Sequence, residues 1–572
     1  LAIADTVQLK LHYQGEWLAM EKVWLNSYPK SVPPEIKDSL YQCINDVFVG
    51  ACGQYQDRKA FSNFGTSLHF HELAEQSQQF ALALQETLQI KKGDRVALML
   101  PNILQYPIAL FGLLRIGAIV VNVNPLYTAP ELCHQLCDSG AETILVLSQF
   151  AHVVEEVLPK TSLKHVIITD IGDCFSRFKS FVYTCAGKFI HRAQPKWSLP
   201  DALRFKELMK VTHKELLSDV EVYPSDIAFL QYTGGTTGVA KGAMLTHSNI
   251  LANLQQASLW LQQEKLHENE IVITALPLYH IFSLLMNCLF YFSLGAENVL
   301  ITNPRDTKGF LRTIQKIPFT VIAGVNTLFN SMMNNPHFKK CDFSHLHLSI
   351  GGGAAVQKSV ADRWCQLTNS PIIEAYGLTE TSPAVSINLL GTKGYTGSIG
   401  LPLSSTEIKL LNEAGEEVGI DQAGELAIKG PQVMAGYWNN ISETEKVMTE
   451  DGYFLTGDIA TMDQQGFLRI VDRKKDMINV SGFNVYPNEV EEVISLHPDV
   501  LEVAVVPVID AGIGGEVVKA VIVKKNERLT KVDVIQHCER SLTLYKVPKR
   551  IEFRLTLPKS PVGKILRREL RD

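Results

Sequence analysis

Short apolar runs recur along this chain, each followed by a stretch with helical spacing, and that alternation restricts the fold more than any other feature. RVALML (95–100) leads through Pro101 into a helical stretch from Gln105. AIVVNVN (118–124) precedes a helical pattern over Glu131 to Ser139, and TILVLS (143–148) and HVIITD (165–170) repeat the theme. IVITALP (271–277), FTVIAGV (319–325) and LSIGGGA (348–354) continue it. A β-α-β-α order predicts parallel sheets covered by helices, so the chain is expected to be α/β.

The texture changes after about residue 395. TEIKLLN, GELAIKG and GFLRIVD are shorter alternating strands with glycine turns, which predicts a β-rich module. From about 476 the pattern becomes a compact α+β one. The seam is Asp472-Arg473-Lys474-Lys475-Asp476, a charge cluster with no apolar residue. The 572 residues are enough for two to five units at about 100–200 residues each. The expected division is a large N-terminal domain over 20–472, made of two layered α/β subdomains plus the β-rich module. A small α+β C-terminal domain follows over 473–572. Residues 1–19 read as an upstream extension, with Met20 as a candidate start and no apolar h-region of a signal peptide.

Charge and cysteine content narrow the function. With 54 basic and 60 acidic side chains the net charge is −6, which argues against a nucleic-acid partner. The 10 cysteines are scattered without a CxxC pair, which fits a reduced, cytoplasmic setting. Residues 107–121 and 276–296 imitate membrane spans. Arg115 interrupts the first; Pro277, His280 and Asn287 interrupt the second, and both read as buried core helices. Residues 171–197 mix phenylalanines with basic residues: five Lys/Arg and one Asp lie between 172 and 196. This composition suits a helix lying on anionic lipid; the other reading is a surface helix with its phenylalanines turned inward.

The strongest local signal is Tyr232-Thr-Gly-Gly-Thr-Thr-Gly-Val-Ala-Lys-Gly242, which follows the strand-like IAFLQY (227–232). Its glycines and threonines can turn N–H groups and hydroxyls toward phosphate oxygens, and Lys241 adds a cation. It is not a Walker A loop, because two residues separate Gly238 from Lys241 and Gly242 follows.

This loop resembles the phosphate loop of the adenylate-forming superfamily, which includes acyl-CoA synthetases, peptide-synthetase adenylation domains and luciferases. The variant YTGGTTGVAKGAMLTH, with Gly234 and Ala240 where Ser and Pro are usual, is similar to that of bacterial long-chain-fatty-acid–CoA ligases. The resemblance covers about residues 20–572 and implies the adenylate-forming enzyme fold. It further implies ATP contacts by Thr233, Gly234, Gly235, Thr236, Thr237, Gly238 and Lys241. In EAYGLTETS (374–382), Glu374, Ala375, Tyr376, Gly377 and Thr379 would meet the nucleotide, with Tyr376 against adenine. Glu380, helped by Thr233, would hold Mg²⁺, a hard cation that takes few protein oxygens beside phosphate. Gly351, Gly352 and Gly353 would let the backbone approach the purine. Asp458 in GYFLTGDI would accept both ribose hydroxyls, and Arg473 would steady the same nucleotide.

Pro558-Lys-Ser-Pro-Val-Gly-Lys-Ile-Leu-Arg-Arg568 resembles the family's last motif, with Lys564 its catalytic lysine. An ammonium between an attacking carboxylate and a phosphate offsets their repulsion and fixes their geometry. His280 in LPLYHIF matches a position beside the reacting carboxylate. Lys475 falls at the family's hinge, about which the small domain rotates between adenylate and thioester formation. Ser481-Gly482-Phe483 would then reach the thiol channel, with Gly482 leaving room for pantetheine.

The implied reaction joins a medium- or long-chain fatty acid to coenzyme A through acyl-AMP, with ATP and Mg²⁺. Ala323, Gly324 and the apolar helix near 284–294 are candidates for lining the acyl channel. A ligase loading a carrier protein, a luciferase-like oxidase and a non-catalytic lipid sensor are the alternatives. The expected setting is the cytoplasmic face of the membrane, with peripheral attachment and a possible homodimer.

Overall fold

The computed structural model describes residues 22–37, 39, 41–176, 179, 195–210, 217, 220–234, 239–261, 269–480, 483–510, 515–560 and 562–571. Two large sheets carry the N-terminal part. The apolar runs at Arg95–Met99, Ile119–Asn122, Thr143–Leu147 and His165–Thr169 are neighbours in a seven-stranded sheet. Its strands are parallel except at one edge, where Ile227–Gly234 pairs antiparallel with Ala240–Thr246. Ile271–Thr274, Val321–Gly324, Leu348–Gly352 and Ile372–Gly377 form the parallel centre of a nine-stranded sheet. Antiparallel edges close it on both sides: Lys59–Asn63 with Thr66–His69, and Ala384–Ile387 with Leu401–Pro402.

Between the sheets the helices Phe70–Leu88 and Gln105–Arg115 supply the core. Every residue from Gln105 to Leu114 is buried, and Arg115, which interrupts the apolar run, donates to the Ala74 carbonyl and Ser77 Oγ. The second apolar stretch is also interior. Leu284–Tyr291 forms a π-helix whose eight residues are all buried. Among the described residues no helix is long and apolar enough to cross a membrane.

The β-rich texture becomes a four-stranded antiparallel sheet of Glu407–Leu411, Gly424–Lys429, Phe454–Met462 and Leu468–Arg473. The last part carries a three-stranded sheet, Val500–Asp510, Gly515–Lys524 and Arg550–Arg554, covered by helices Pro487–Ser495 and Lys531–Glu539. The architecture is thus mixed α/β, with a large N-terminal domain and a small C-terminal one. Residues 1–21, Ser481, Gly482 and most of 171–197 lie outside the described residues. Of that basic aromatic stretch, Lys179 is described: its Nζ donates to Thr66 Oγ1 at 3.0 Å and lies over the Phe175 ring.

Candidate active site

The C-terminal ends of the parallel strands, where ligands of open α/β sheets bind, meet around one cleft. Thr233 is the next-to-last residue of the strand Ile227–Gly234, and its Oγ1 lies 3.5 Å from Glu380 Oε1. The roots of the glycine–threonine loop are held firmly. Tyr232 donates its hydroxyl to Asp138 Oδ2 at 2.5 Å, and His134 Nε2 lies 2.8 Å from the Ala240 carbonyl. Both partners sit on helix Ala129–Ser139, which starts with a Thr128–Glu131 capping box and ends at Gly140 in the left-handed region. The capping box pairs Thr128 N–H with the Glu131 carboxylate at the helix start. Gly235, Thr236, Thr237 and Gly238, at the loop's tip, lie outside the described residues.

Lys241 points back from the next strand. Its ammonium pairs with Glu443 and lies 5.1 Å from the centre of the Tyr437 ring. Tyr437 donates its hydroxyl to Glu380 Oε1 at 2.8 Å. The segment Gly436-Tyr437-Trp438 is tied to the loop's second strand by backbone bonds from Met244 N to Gly436 O and from Trp438 N to Gly242 O. Tyr437 and Glu443 were missed in the sequence; the only local signal was the glycine–aromatic triplet itself.

Strand Ile372–Gly377 brings Tyr376 across to the four-stranded sheet. The Tyr376 hydroxyl donates to Asp458 Oδ2 at 2.6 Å, while Arg473 Nε lies 3.2 Å from Asp458 Oδ1. Asp458 and Arg473 are directly paired in the ladder, which explains their fixed separation in sequence. Asp458 is buried, and burial beside its charge pushes the Tyr376 phenol well above its ordinary range. Glu374, one turn of the pleat away, is raised to about 8, chiefly by burial, so it is a neutral acid near pH 7. Ala375 and Gly377 flank Tyr376 on this strand, and Thr379 opens the short turn that presents Glu380.

The glycines after Leu348 have separate reasons. A Cβ on Gly351 would come within 2.6 Å of Ile372 and 2.8 Å of Val356, so sheet packing alone demands glycine there. Gly352, next in the same strand, pairs with Ala375. Gly353 has φ +76°, and a Cβ there would meet Lys564 Cε at 3.3 Å.

Lys564 therefore enters the cleft from the small domain. It is presented by a tight turn in which Ser560 N donates to Lys564 O at 2.7 Å and Lys564 N donates to Ser560 Oγ at 3.1 Å. Gly563 makes the turn with φ +86°, and its carbonyl accepts from Thr327 Oγ1 at 2.7 Å. Asn330 on the same helix donates to the Leu501 carbonyl at 3.0 Å, so helix Asn326–Asn334 is the seat of the small domain. Withdrawal from water and the nearby Arg473 charge lower the Lys564 amine to about 8; Asp458 and Glu380 pull the other way. His280, whose Nδ1 accepts from Phe282 N at 3.4 Å, is lowered to about 3 by burial and then by Lys564, so it is neutral. Lys475 lies in the turn after Arg473, and its carbonyl accepts from Arg571 at 3.4 Å. Gly482 lies outside the described residues.

The cleft thus offers one carboxylate with adjoining hydroxyls (Glu380, Thr233, Tyr437), one buried carboxylate for vicinal hydroxyls (Asp458), and two cations from different directions. Oxygen-only donors of this kind fit a hard divalent cation that shares phosphate ligands.

A family model described as AMP-binding enzyme matches residues 48–438, and one described as AMP-binding enzyme C-terminal domain matches residues 489–564. The chain is 55% identical to a long-chain-fatty-acid–CoA ligase of Escherichia coli O6:H1, over 97% of this chain and 98% of that protein. Identity and coverage are the same, 55% over 97% and 98%, for a long-chain-fatty-acid–CoA ligase of Salmonella typhimurium. The crystal structure of an anthranilate CoA ligase in complex with anthranoyl-AMP shares the fold, with 24% identity, a TM-score of 0.82, and coverage of 93% of this chain and 97% of that one.

Proposed function

The chain belongs to the family of AMP-binding enzymes, and from that premise we propose that it is an AMP-forming ligase joining medium- and long-chain fatty acids to coenzyme A. It uses ATP and Mg²⁺ and releases AMP and pyrophosphate. The observation that carries the reading is the arrival of Lys564 from the small domain in the same cleft as Asp458, Arg473, Glu380 and His280.

In the first step the acid's carboxylate attacks the α-phosphate, forming acyl-AMP and expelling pyrophosphate. Asp458 accepts the ribose hydroxyls, with Arg473 steadying it. Tyr376 lies against adenine. The loop from Thr233 to Lys241 cradles the phosphates. Glu380 and Thr233 would hold Mg²⁺, which when bound would neutralise phosphate charge. Lys564 bridges the carboxylate and the phosphate, offsetting like-charge repulsion where it is greatest. Neutral His280 orients the acid without adding charge. In the second step the thiol attacks the acyl carbonyl and AMP leaves. Lys564 would obstruct that approach, so the small domain turns about Lys475 between steps.

The test is pyrophosphate and acyl-CoA production with saturated acids from C6 to C18, with and without coenzyme A. Acid-dependent pyrophosphate release with no acyl-CoA would favour a carrier-protein ligase; no pyrophosphate at all would favour a lipid-binding protein. The same substrates partition into bilayers, which with the basic aromatic sequence at 171–197 supports peripheral attachment to the cytoplasmic face of the membrane. Co-flotation with anionic vesicles tests it; failure to float sinks that part of the reading.

A further inference from the structure

Three residues beyond Lys564, Arg567 opens the short turn Arg567–Leu570. Its guanidinium meets four side chains. Nη1 lies 3.1 Å from Asp472 Oδ1 and 3.5 Å from Asp476 Oδ2. Nη2 donates to Asn488 Oδ1 at 2.5 Å and to Glu491 Oε2 at 2.9 Å, and Nε donates to Glu491 Oε1 at 3.1 Å. The Asp472 side chain is 0% exposed. Its Oδ2 accepts the Asn488 N–H at 2.8 Å and its Oδ1 the Arg473 N–H at 2.7 Å.

These partners divide at the hinge. Asp476, Asn488, Glu491 and Arg567 follow Lys475 and travel together in any rotation about it. Asp472 and Arg473 precede it and stay with the large domain. A rotation therefore withdraws from Asp472 both the Arg567 guanidinium and the Asn488 N–H, leaving only the Arg473 N–H. Removing one partner of a buried ion pair costs far more than the intact pair contributes, because the remaining charge must be rehydrated or left uncompensated. The Asp472–Arg567 contact therefore weighs on one orientation only, whereas the Glu491–Arg567 contact, internal to the small domain, weighs equally on both.

We propose that Asp472 and Arg567 form a latch holding the small domain where it delivers Lys564, which makes Arg567 a positioning residue for the adenylate-forming step alone. The inference rests on the two-orientation reading above. It goes beyond that reading by naming the pair that sets the balance between the orientations.

Two half-reactions read the latch: fatty-acid-dependent ATP–pyrophosphate exchange without coenzyme A, and thioester formation from supplied dodecanoyl-AMP and coenzyme A. Asp472→Asn is expected to slow the first about tenfold, within the roughly 5- to 150-fold range of coupling between sites, and to leave the second unchanged or faster. Glu491→Gln is expected to lower the melting temperature without changing the ratio of the two rates. If Asp472→Asn does not fold, Asp472→Glu, which keeps the charge on a longer arm, must give the same split. Equal losses in both half-reactions, or no change in either, in a folded Asp472 variant overturn the latch. A Lys564→Ala enzyme that still forms acyl-AMP overturns the two-orientation reading instead, whatever Asp472 does.

Discussion

Tyr376 and Asp458, 82 residues apart, share a 2.6 Å hydrogen bond across two different sheets. The bond joins the nine-stranded sheet to the four-stranded one at one end of the cleft. Asp458 is then held from one side by a phenol and from the other by Arg473, and its carboxylate still has lone pairs for two ribose hydroxyls.

The first prediction concerns that carboxylate. A hydrogen bond to a charged group contributes about 1.5–3 kcal/mol, or roughly 10- to 150-fold in affinity. Asp458→Asn is expected to raise the ATP KM of ATP–pyrophosphate exchange by about tenfold or more. Tyr376→Phe leaves the Arg473 contact and the carboxylate itself in place and is expected to raise it less than Asp458→Asn does, because it removes one support of the carboxylate rather than the acceptor. An unchanged ATP KM in Asp458→Asn removes the ribose assignment.

The second prediction is a pH profile. The Lys564 amine, lowered to about 8, is protonated below that pH and loses its charge above it. Because kcat/KM reports the free enzyme, kcat/KM for adenylate formation is expected to fall as pH rises through about 8. His280, lowered to about 3, contributes no limb between about pH 5 and about pH 8. Lys564→Arg, slower at its maximum because the guanidinium is bulkier, is expected to lose the alkaline limb. Persistence of that limb in Lys564→Arg would assign it to another group.

The sheets were legible because strands buried on both faces are written as near-continuous apolar runs, as at Thr143–Leu147 and Val321–Gly324. Motif residues were legible where spacing is local or set by one ladder, as for Asp458 and Arg473. What sequence spacing does not encode is which distant side chain closes a charge. Lys241 reads as a free cation in its loop, yet its partner Glu443 is 202 residues on. Arg567 reads only as one of two arginines closing the motif around Lys564, yet it is enclosed by Asp472, Asp476 and Glu491. Gly351 reads as room for a ligand, whereas the crowding comes from Ile372 and Val356. In each case tertiary packing supplies the neighbour, and the residue type alone leaves its role open.

A third prediction tests the hinge. In the turn after Arg473 the N–H groups of Lys474, Asp476 and Met477 donate to backbone carbonyls, and among the described residues no acceptor meets that of Lys475. Proline there removes no donor bond of its own, but it fixes φ near −65° and disfavours the helical conformation of Lys474 in the Arg473–Asp476 turn. Lys475→Pro is expected to slow thioester formation roughly tenfold or more beyond any loss in acyl-AMP formation, because the conformational step is what it blocks. Stopped-flow measurement of both half-reactions decides; equal losses in both refute the hinge at Lys475.

The last prediction concerns the competition for Lys241. Its ammonium is engaged by Glu443, whose carboxyl is held down at about 2 by Lys241 and Lys446, so that carboxylate is ionised across the physiological range. Triphosphate binding must draw the ammonium from this partner. Glu443→Gln removes the competing charge and keeps the shape. It is expected to lower the ATP KM by up to about fivefold, the scale of a partly exposed ion pair. Lys241→Met removes the cation that the phosphates would meet and is expected to raise the ATP KM about tenfold or more, the scale of a charge-assisted contact. If Glu443→Gln instead weakens ATP, Glu443 aims Lys241 at the phosphates rather than competing with them, and the pair is part of the loop's positioning.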